Sequence, residues 1–320
     1  MMWPRVESLA EVPARIAVTG ASGFFGKYLV DHLAGLDQVE SILAMDVREP
    51  LHGTGEKVTG LQRDVRAPME QVLVEHGIQA VFHLAYLARP PRDVVDARSI
   101  NVSATAALLR ACTAVGIKRF VYPSSATVYG ARAGNAEPFT ETDEPKPNQG
   151  FHYSIDKVAA ENLIERWAAE NDDAIAITYR GCPVMGPDTD NFILNTLRMR
   201  WLPVPAFANP TMQFLHIADQ TAAFDAALTA DRGGIYNIAG GGTVEWRRMI
   251  SMFGNRPVPV PARLLQFMTA ATWLLRLQNR SPGNGVNFIR YPWTISTELA
   301  RSQLGWTPEY TSEQALQAAM

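Results

Sequence analysis

The residues with the clearest chemical potential are Tyr153 and Lys157, which stand four positions apart. On a helix, this spacing places both side chains on one face. A free phenol has a pKa of about 10 and is a poor base at neutral pH, but a neighbouring ammonium favours the phenolate. A serine from the upstream pair Ser124 and Ser125 can share the proton path and bind the oxygen of the reacting carbon. These groups predict that a proton moves on and off an alcohol while a hydride leaves the same carbon.

Because Tyr-x-x-x-Lys also occurs by chance on solvated helix faces, this hypothesis depends on a nucleotide site elsewhere in the chain. Gly20, Gly23 and Gly26 follow the apolar run Arg15–Thr19 and precede a helical pattern. Such a loop lets the backbone approach a pyrophosphate at a helix N-terminus. The next predicted strand ends at Asp46, 20 residues beyond Gly26, where an acid is expected to bind the adenosine ribose hydroxyls.

Asp46 also bears on the choice of cofactor. Its carboxylate would repel the additional phosphate of NADP, so the sequence favours NAD. Arg48, two residues further on, leaves NADP open, because an arginine there could bind that phosphate.

The composition is that of a globular protein, with 47% hydrophobic and 19% charged residues among 320. The net charge of −3 gives no reason to expect nucleic acid as a partner. Cys112 and Cys182 lie in apolar contexts, which indicates reduced thiols and a cytoplasmic protein, and the six histidines lack metal-ligand spacing. Residues 1–15 have no signal-peptide pattern, and no run reaches the roughly 18 apolar residues of a membrane span.

Strand-like runs alternate with helical patterns through the first 180 residues, which predicts an α/β fold with a doubly wound, Rossmann-like parallel sheet. The Gly20 turn, Asp46, Ala85 and Ser125 fall at the carboxyl ends of predicted strands, where such sheets bind ligands. We expect an NAD-binding unit over residues 1–180. A smaller mixed lobe over residues 181–320 is expected to shape the substrate pocket. Its segments 213–217 and 235–238 could return to the main unit.

Further motifs along the chain resemble those of the extended short-chain dehydrogenase/reductase family, in its NAD-dependent epimerase/dehydratase group. The segments that carry this resemblance are Thr19–Gly26, Gln62–Val65, His83–Ala85, Asn101–Thr105, Ser124–Gly130, Tyr153–Lys157, Arg180–Pro187, Phe214–Asp219, Tyr236–Gly240 and Leu304–Pro308. They run nearly from end to end of the chain and keep the order of the family's motifs.

The resemblance implies roles for individual residues. Tyr153 would be the acid/base, Lys157 would bind the nicotinamide ribose and lower the tyrosine pKa, and Ser125 would be the catalytic serine. The residues that would hold the cofactor are Gly20, Gly23, Phe24, Phe25, Gly26, Asp46, Arg48, Asp64, Val65, Leu84, Ala85, Tyr153, Lys157, Pro183 and Val184. Thr127 and Asn191 are candidate substrate contacts, and no metal site is expected. The family also implies a homodimer formed through the helices near 95–115 and 150–170.

The residue types narrow the reaction. Sugar dehydratases of the family place an Asp–Glu pair directly after the catalytic hydroxyl, where this chain has Ala126 and Thr127. The glutamate that the related decarboxylases use near the same place is also missing. What remains is a reversible alcohol–ketone step, either as a net redox reaction or closed internally as an epimerisation.

The substrate class stays open at this point. Nucleotide-sugar epimerases commonly carry an arginine just before the Phe-x-His-x-x-Asp segment, where this chain has Met212–Gln213–Phe214. The arginines that could substitute are Arg180, Arg198, Arg200 and Arg290. The chain is therefore interpreted as an NAD-dependent oxidoreductase acting on a small or lipophilic hydroxy or keto compound. The alternatives are a nucleotide-sugar epimerase with tightly bound NAD, or an NAD-binding regulatory protein without turnover.

The segment Pro261–Gln278 is rich in leucine and aromatic residues. Its spacing predicts an amphipathic helix packed on the C-terminal lobe. The alternatives are a lid over a lipophilic substrate, a membrane-surface contact or a dimer patch.

Overall fold

The computed structural model describes residues 12–49, 55–88, 93–278 and 281–320. Its strands are β1 (Arg15–Thr19), β2 (Ser41–Asp46), β3 (Val58–Gln62), β4 (Ala80–His83), β5 (Arg119–Pro123), β6 (Ile175–Gly181), β7 (Val184–Met185), β8 (Trp201–Pro205), β9 (Thr211–Met212), β10 (Leu215–His216), β11 (Gly234–Ile238), β12 (Val244–Glu245) and β13 (Arg256–Val260).

The α-helices are α1 (Phe24–Ala34), α2 (Glu70–Glu75), α3 (Val94–Arg98), α4 (Ala104–Val115), α5 (His152–Ala169), α6 (Phe192–Leu197), α7 (Ile217–Thr229), α8 (Trp246–Met252), α9 (Ala262–Leu274), α10 (Glu298–Leu304) and α11 (Ser312–Gln317). A π-helical turn covers Ser99–Ser103, and 3₁₀-helical turns cover Ala126–Tyr129 and Gly283–Ile289.

Seven strands form one parallel sheet in the order β11-β6-β5-β4-β1-β2-β3. The chain winds outward from β1 in one direction through β2 and β3, and then crosses to β4 on the other side of β1. The strand order therefore reverses between β1 and β4, which is where doubly wound sheets open a ligand crevice. The predicted α/β fold class, with its parallel sheet and small C-terminal sheets, is confirmed.

The central strands read as continuous apolar runs because both faces of the sheet are covered. On one face, α1 and α7 pack through Leu29, Leu33 and Phe224. On the other face, α4 and α5 pack through Leu108 and Ile164. Both free cysteines are buried.

Two predicted elements differ from the observed ones. The strand expected near 61–65 is β3, which begins at Val58. As an edge strand it has side chains that are half-buried or exposed, so its apolar signal is weak. The helical pattern over 95–115 is interrupted by the π-helical turn Ser99–Ser103. Such turns are frequent at functional sites, and this one carries the buried Asn101.

The segment after residue 181 contributes to the main sheet and also forms small sheets of its own. β11 pairs with β6 at the edge of the main sheet. The other strands pair as β7 with β10, β9 with β12, and β8 with β13. A second core surrounds the buried Trp246, Met249 and Leu316. Among the described residues, no helix combines the length and apolar character that crossing a membrane requires.

A buried polar network connects helix α5 to the sheet. Glu161 of α5 accepts a 2.8 Å hydrogen bond from the guanidinium of Arg180 on β6, and both side chains are almost completely buried. The Ser124 hydroxyl also donates to Glu161. Arg180 donates to the Tyr129 hydroxyl at 3.0 Å, and Tyr129 donates to Asn237 of β11 at 2.8 Å. Arg180 is therefore a structural cation, and the expectation that it could bind a substrate phosphate is wrong.

Replacing Arg180 by Met should lower the free energy of unfolding by about 3–5 kcal/mol, because Glu161 would remain buried without its cation. Urea denaturation followed by circular dichroism measures this loss. The exposed pair Arg248–Glu313 provides the control: Arg248→Met should cost at most about 1 kcal/mol. Equal small losses in both variants would contradict the structural role of the buried pair.

Candidate active site

The glycine loop between β1 and α1 fits the backbone of an anionic ligand. Gly20 has a φ of +70°, and a Cβ there would lie 2.6 Å from the Ala85 nitrogen. A Cβ at Gly26 would lie 2.3 Å from the Gly20 oxygen. Gly23 caps α1 without a side-chain hydrogen bond, and the buried Ser22 hydroxyl has no partner among the described residues. The loop is thus tightly packed from behind, and its Ala21 and Gly23 nitrogens donate to backbone carbonyls. The uncapped N-terminus of α1 and the Ser22 hydroxyl are the groups left for a pyrophosphate.

Asp46 stands beside this loop at the end of β2. Its carboxylate accepts hydrogen bonds from the Ser22 and Arg48 backbone nitrogens, both at 3.0 Å. The Arg48 guanidinium lies 3.5 Å from the same carboxylate and donates to the Ser22 carbonyl at 2.9 Å. Asp46 and Arg48, the two residues predicted to discriminate NAD from NADP, therefore contact each other.

The other predicted cofactor residues follow the neighbouring strand ends. Leu84 and Ala85 come directly after β4, where the Leu84 nitrogen donates to the Thr19 carbonyl at 3.1 Å. Asp64 follows β3 and forms a bidentate pair with Arg66, which holds the pKa of that carboxyl below its usual range. The remaining predicted positions are the buried Val65 and Val184, the half-buried Pro183, and Phe24 and Phe25 on the first turn of α1.

The three predicted catalytic residues meet at the C-terminal end of β5. Tyr153 and Lys157 lie on α5, and the Lys157 ammonium is 6.0 Å from the centre of the Tyr153 ring. Ser125 caps the 3₁₀-helical turn Ala126–Tyr129, and its side chain is within hydrogen-bonding reach of the Tyr153 side chain. The spacing of the Tyr–Lys pair therefore produces the expected shared face next to a serine.

The electrostatics of this group differ from the expectation. Burial raises the pKa of Tyr153, and the hydrogen bond with Ser125 opposes that rise only in part. Lys157 is itself buried, and the loss of solvent lowers the pKa of its ammonium from 10.5 to about 7. Its nitrogen donates to the Pro123 carbonyl at 2.6 Å and lies 3.7 Å from the centre of the Tyr86 ring. The expected lowering of the tyrosine pKa by the lysine is therefore not found in this state of the protein.

A chain of hydroxyl groups leads to Ser125. The Ser154 hydroxyl donates to Thr127 at 2.8 Å, and the Thr127 hydroxyl donates to Ser125 at 2.9 Å. The Thr127 backbone nitrogen also donates to the Ser125 oxygen at 3.3 Å. Since the Ser125 oxygen accepts both bonds, its own proton is available to Tyr153 or to a substrate oxygen.

The two candidate substrate contacts both have partners within the protein. Thr127 contacts Ser125, as described, and Asn191 caps α6 by accepting a 2.9 Å hydrogen bond from the Leu194 nitrogen. The Asn191 amide nitrogen also lies 3.4 Å from the Val184 carbonyl. Their roles toward a substrate stay predictions.

Sequence reasoning missed Tyr86. Its hydroxyl donates to the Tyr153 carbonyl at 2.7 Å, and its ring meets the Tyr153 ring edge-on at 5.3 Å. The ring also forms one wall of the Lys157 environment. The sequence signal that could have identified Tyr86 is its position directly after the His83–Ala85 motif.

Asp156 was also missed, although it directly precedes Lys157. It is buried, accepts a 2.8 Å hydrogen bond from Arg98, and lies 3.4 Å from the amide nitrogen of Asn101. The Asn101 oxygen accepts a hydrogen bond from the Leu87 nitrogen at 2.9 Å. Asn101 therefore connects α5 to the loop after β4, as a positioning residue would.

His83 is a structural residue at the end of β4. Its two ring nitrogens contact the hydroxyls of Thr19 and Thr105 at 2.8 and 3.0 Å. Complete burial lowers its pKa to about 3, so the ring is neutral at physiological pH. Within the described ranges, no cluster of acidic, histidine or cysteine side chains has the arrangement of a metal site.

Comparison with known proteins identifies the family. The sequence profile of the NAD dependent epimerase/dehydratase family matches residues 16–239. The chain belongs to this family. A GDP-6-deoxy-D-mannose reductase of Pseudomonas aeruginosa is 26% identical over 323 residues, covering 96% of this chain and 96% of the relative. An uncharacterized protein of Mycobacterium tuberculosis is 25% identical over 315 residues, with coverage of 95% and 83%.

The family resemblance extends to solved structures. MoeE5 in complex with UDP-glucose and NAD is 26% identical to this chain, with a TM-score of 0.74 and coverage of 95% of this chain and 97% of MoeE5. The membership expected from the ordered motifs is thus confirmed by both sequence and structure.

Within this family member, the position expected to hold a substrate-binding arginine has a structural role. Both ends of the Gln213 side chain contact the Ile295 backbone: its oxygen accepts at 2.8 Å and its nitrogen donates at 3.2 Å. Of the possible substitutes, Arg198 donates to the Ala319 carbonyl at 3.4 Å, and the Arg290 guanidinium lies 4.7 Å from the Tyr291 ring centre.

The lowered pKa of Lys157 makes the stability of the ligand-free protein depend on pH. Between about pH 7 and pH 10.5 the unfolded lysine holds a proton that the folded lysine has lost, so stability rises with pH across this window. Relative to Lys157→Met, the wild type should gain about 1.4 kcal/mol for each pH unit above 7. Below pH 7 the difference should be constant.

Urea denaturation of both proteins at several pH values from 7 to about 9 measures this gain. Lys118→Met, at a lysine whose side chain is 63% exposed, controls for the general loss of a positive charge. Parallel curves for wild type and Lys157→Met would show that the folded lysine keeps its ordinary pKa.

Proposed function

We propose that the protein is an NAD-dependent enzyme that interconverts a secondary alcohol and a ketone. The observation that most directly supports this proposal is the meeting of Tyr153, Lys157 and Ser125 at the same sheet edge as the Gly20 loop. A structural role alone does not require three such groups in one place beside a glycine loop with open polar groups.

The residues of the crevice fit NAD. The glycine loop would hold the pyrophosphate, since its backbone approaches closely and its helix N-terminus lacks a side-chain cap. Asp46 would bind the adenosine ribose, because its carboxylate is fixed beside that loop. When bound, NAD supplies the acceptor for the hydride that leaves the substrate carbon.

The chain's own residues move the proton. The Tyr153 phenolate takes the hydroxyl proton of the alcohol, and the C–O bond becomes a carbonyl as the hydride leaves with its electron pair. Ser125 donates its hydrogen to the reacting oxygen, because its own oxygen already accepts from Thr127. With the cofactor bound, protonated Lys157 would hold its ribose hydroxyls and would stabilise the phenolate. Reduction is the reverse sequence, with Tyr153 as the acid.

The relatives favour a nucleotide sugar as the substrate class. MoeE5 is described with UDP-glucose and NAD, and the Pseudomonas aeruginosa relative is a reductase of a GDP-sugar. Both cover nearly the whole chain at 26% identity. We propose that the C-terminal lobe receives a nucleotide sugar and that Tyr153 acts at one of its ring hydroxyls.

A small or lipophilic hydroxy or keto compound is the second candidate. It is favoured by Gln213, whose side chain contacts the Ile295 backbone at the position expected for a phosphate-binding arginine, and by the burial of Arg180. A regulatory role without turnover is less well supported, since Tyr153, Lys157 and Ser125 are intact and lie together at the end of β5.

The protein purified without added cofactor should contain NAD if it is an epimerase, because the cofactor must stay bound between the two half-reactions. Enzymatic cycling after heat release measures it. Tyr153→Phe should reduce turnover of a panel of UDP-, GDP- and dTDP-hexoses by about 10²–10⁴-fold. Tyr310→Phe is the control, because that ring stacks on His216, apart from α5. Unchanged turnover in Tyr153→Phe would instead support the regulatory alternative.

The contact between Asp46 and Arg48 makes cofactor choice testable. Asp46→Ser removes the carboxylate that repels a 2′-phosphate and frees Arg48 to bind it. We expect NAD affinity to fall about tenfold and NADP affinity to rise about tenfold, which corresponds to about 1.4 kcal/mol each. Isothermal titration with both cofactors measures the change. The double variant Asp46→Ser/Arg48→Gln should lose the gain for NADP, and retention of that gain would exclude Arg48 as its cause.

A further inference from the structure

Helix α9 turns its apolar side away from the protein. Among the described residues of α9, the buried one is Leu265. The large apolar side chains with high exposed fractions are Leu264 (48%), Phe267 (69%), Met268 (48%) and Leu274 (80%), followed by Leu275 (67%) and Leu277 (72%). On a helix, positions 264, 267, 268, 271, 274 and 275 form one stripe. The expectation that this stripe packs on the lobe is wrong.

The uncharged polar side chains of the same segment are half-buried and have hydrogen-bond partners within the protein, whereas Arg263 and Arg276 are exposed. Gln266 donates to the Asn284 side chain at 3.1 Å, and Gln278 donates to the Ser281 carbonyl at 2.7 Å. The hydroxyl of Thr269 is satisfied by the Leu265 carbonyl at 2.8 Å. Hence the outer side of α9 carries large apolar residues where a surface helix usually carries polar ones.

Exposed aromatic residues also occur at both ends of the neighbouring strand β8: Phe207 follows its end near the start of α9, whereas Trp201 pairs with Arg256 at the opposite end of β13. Trp201 on β8 is 56% exposed, and Phe207, in the turn after β8, is completely exposed with a φ of +64°. The Ala206 nitrogen donates to the Val260 carbonyl at 2.8 Å. The turn that contains Phe207 therefore lies next to Val260, two residues before α9 begins. A fully exposed phenylalanine on left-handed backbone is costly in water and indicates a function at this position.

The charge pattern around this surface is one-sided. From Trp246 to Thr297 the sequence contains no aspartate or glutamate, although the whole chain has a net charge of −3. The arginines of that segment are Arg247, Arg248, Arg256, Arg263, Arg276, Arg280 and Arg290. Arg263 lies within α9, Arg276 follows its end, and the Arg256 guanidinium is 5.2 Å from the Trp201 ring centre.

We propose that the α9 face, formed by Trp201, Phe207, Leu264, Phe267, Met268, Leu274, Leu275 and Leu277, docks on an anionic lipid bilayer. Such a helix lies in the plane of the membrane, with its apolar side at the boundary between headgroups and acyl chains. Arginines that flank it are attracted to anionic headgroups, and tryptophan suits the interface because its ring is apolar and its nitrogen is polar. With 13 residues, α9 is too short to span a bilayer.

The charges argue against a second copy of the chain as the occupant. A two-fold contact presents the same patch from both partners. Arg263 and Arg276 of each copy would then enter an interface to which the segment from 246 to 297 contributes no carboxylate. An anionic surface complements these arginines, whereas an identical face repels them.

The α9 face is structurally connected to the candidate active site. α9 packs against the 3₁₀-helical turn Gly283–Ile289 and borders a cleft of about 520 Å³ with Asn284. From that turn, the Phe288 ring lies 5.0 Å from Phe151, whose ring is 6.1 Å from Tyr153. Docking would thus hold the substrate side of the lobe against the membrane. The docking itself does not rest on the proposed reaction.

Co-sedimentation of the full chain with vesicles tests the proposal. Vesicles of phosphatidylcholine with one-third phosphatidylglycerol should sediment the protein, and vesicles of phosphatidylcholine alone should bind it at least tenfold less tightly. Salt at about 1 M, where the Debye length is about 3 Å, should weaken the binding to the anionic vesicles. Tyr153→Phe should bind like the wild type, which separates this test from that of the reaction.

Two variants address the apolar and charged parts of the face separately. Phe267→Ser/Leu274→Ser should weaken binding to anionic vesicles by more than about tenfold. Arg263→Gln/Arg276→Gln should weaken it by about fivefold for each charge removed. Val74→Ser/Val95→Ser, at side chains 62% and 81% exposed on α2 and α3, is the matched control and should bind normally. Circular dichroism confirms that each variant is folded.

Three outcomes would overturn the proposal. The first is absence of sedimentation with anionic vesicles. The second is equal binding to neutral and anionic vesicles together with no effect of the arginine variant. The third is a dimer in analytical ultracentrifugation that becomes a monomer in Phe267→Ser/Leu274→Ser while vesicle binding is unchanged, because a second copy would then cover the face.

Discussion

The buried ion pair of Glu161 and Arg180 determines how the candidate active site is assembled. Glu161 lies one helical turn beyond Lys157 on α5, and the Ser124 hydroxyl donates to the same carboxylate. The helix that carries the acid/base is therefore tied to the strand end that carries Ser125. Such a pair is stable in the interior only when its hydrogen bonds are satisfied, and here Tyr129 also accepts from Arg180. Satisfying the charges thus also fixes the catalytic geometry.

Close backbone packing imposes the second constraint, at the point where the strand order reverses. The Gly20 and Gly26 positions have no room for a side chain, because the backbone of Ala85 and of the loop itself occupies that space. The residue after Ala85 is Tyr86, whose hydroxyl donates a hydrogen bond to the Tyr153 carbonyl. The nucleotide loop and the catalytic helix are consequently linked through one short segment after β4.

The fold, and the meeting of Tyr153, Lys157 and Ser125 at one strand end, were predictable because their signals are local. Alternating strands and helices, the spacing of three glycines and the Tyr–Lys interval each depend on a few neighbouring residues. The errors depend on tertiary burial. Arg180 is an arginine, as a phosphate-binding residue would be, and only its contact with Glu161 reveals its structural role. The direction in which the Tyr153 pKa shifts similarly depends on how deeply Tyr153 is buried, and the spacing of residues along the sequence does not encode that burial.

Periodicity has a further limit at α9. The apolar stripe from Leu264 to Leu275 is visible in the sequence, but a stripe does not specify whether it faces the protein or the surroundings. The exposed fractions of Phe267 and Leu274, 69% and 80%, show that it faces the surroundings. The same protein buries the apolar strands of its main sheet, such as Phe120 and Tyr122 of β5, so the exposure at α9 does not reflect a generally loose core. A helix with an apolar outer side bordered by arginines, without nearby carboxylates in its own segment, is therefore best understood as a surface adapted to an anionic and apolar partner.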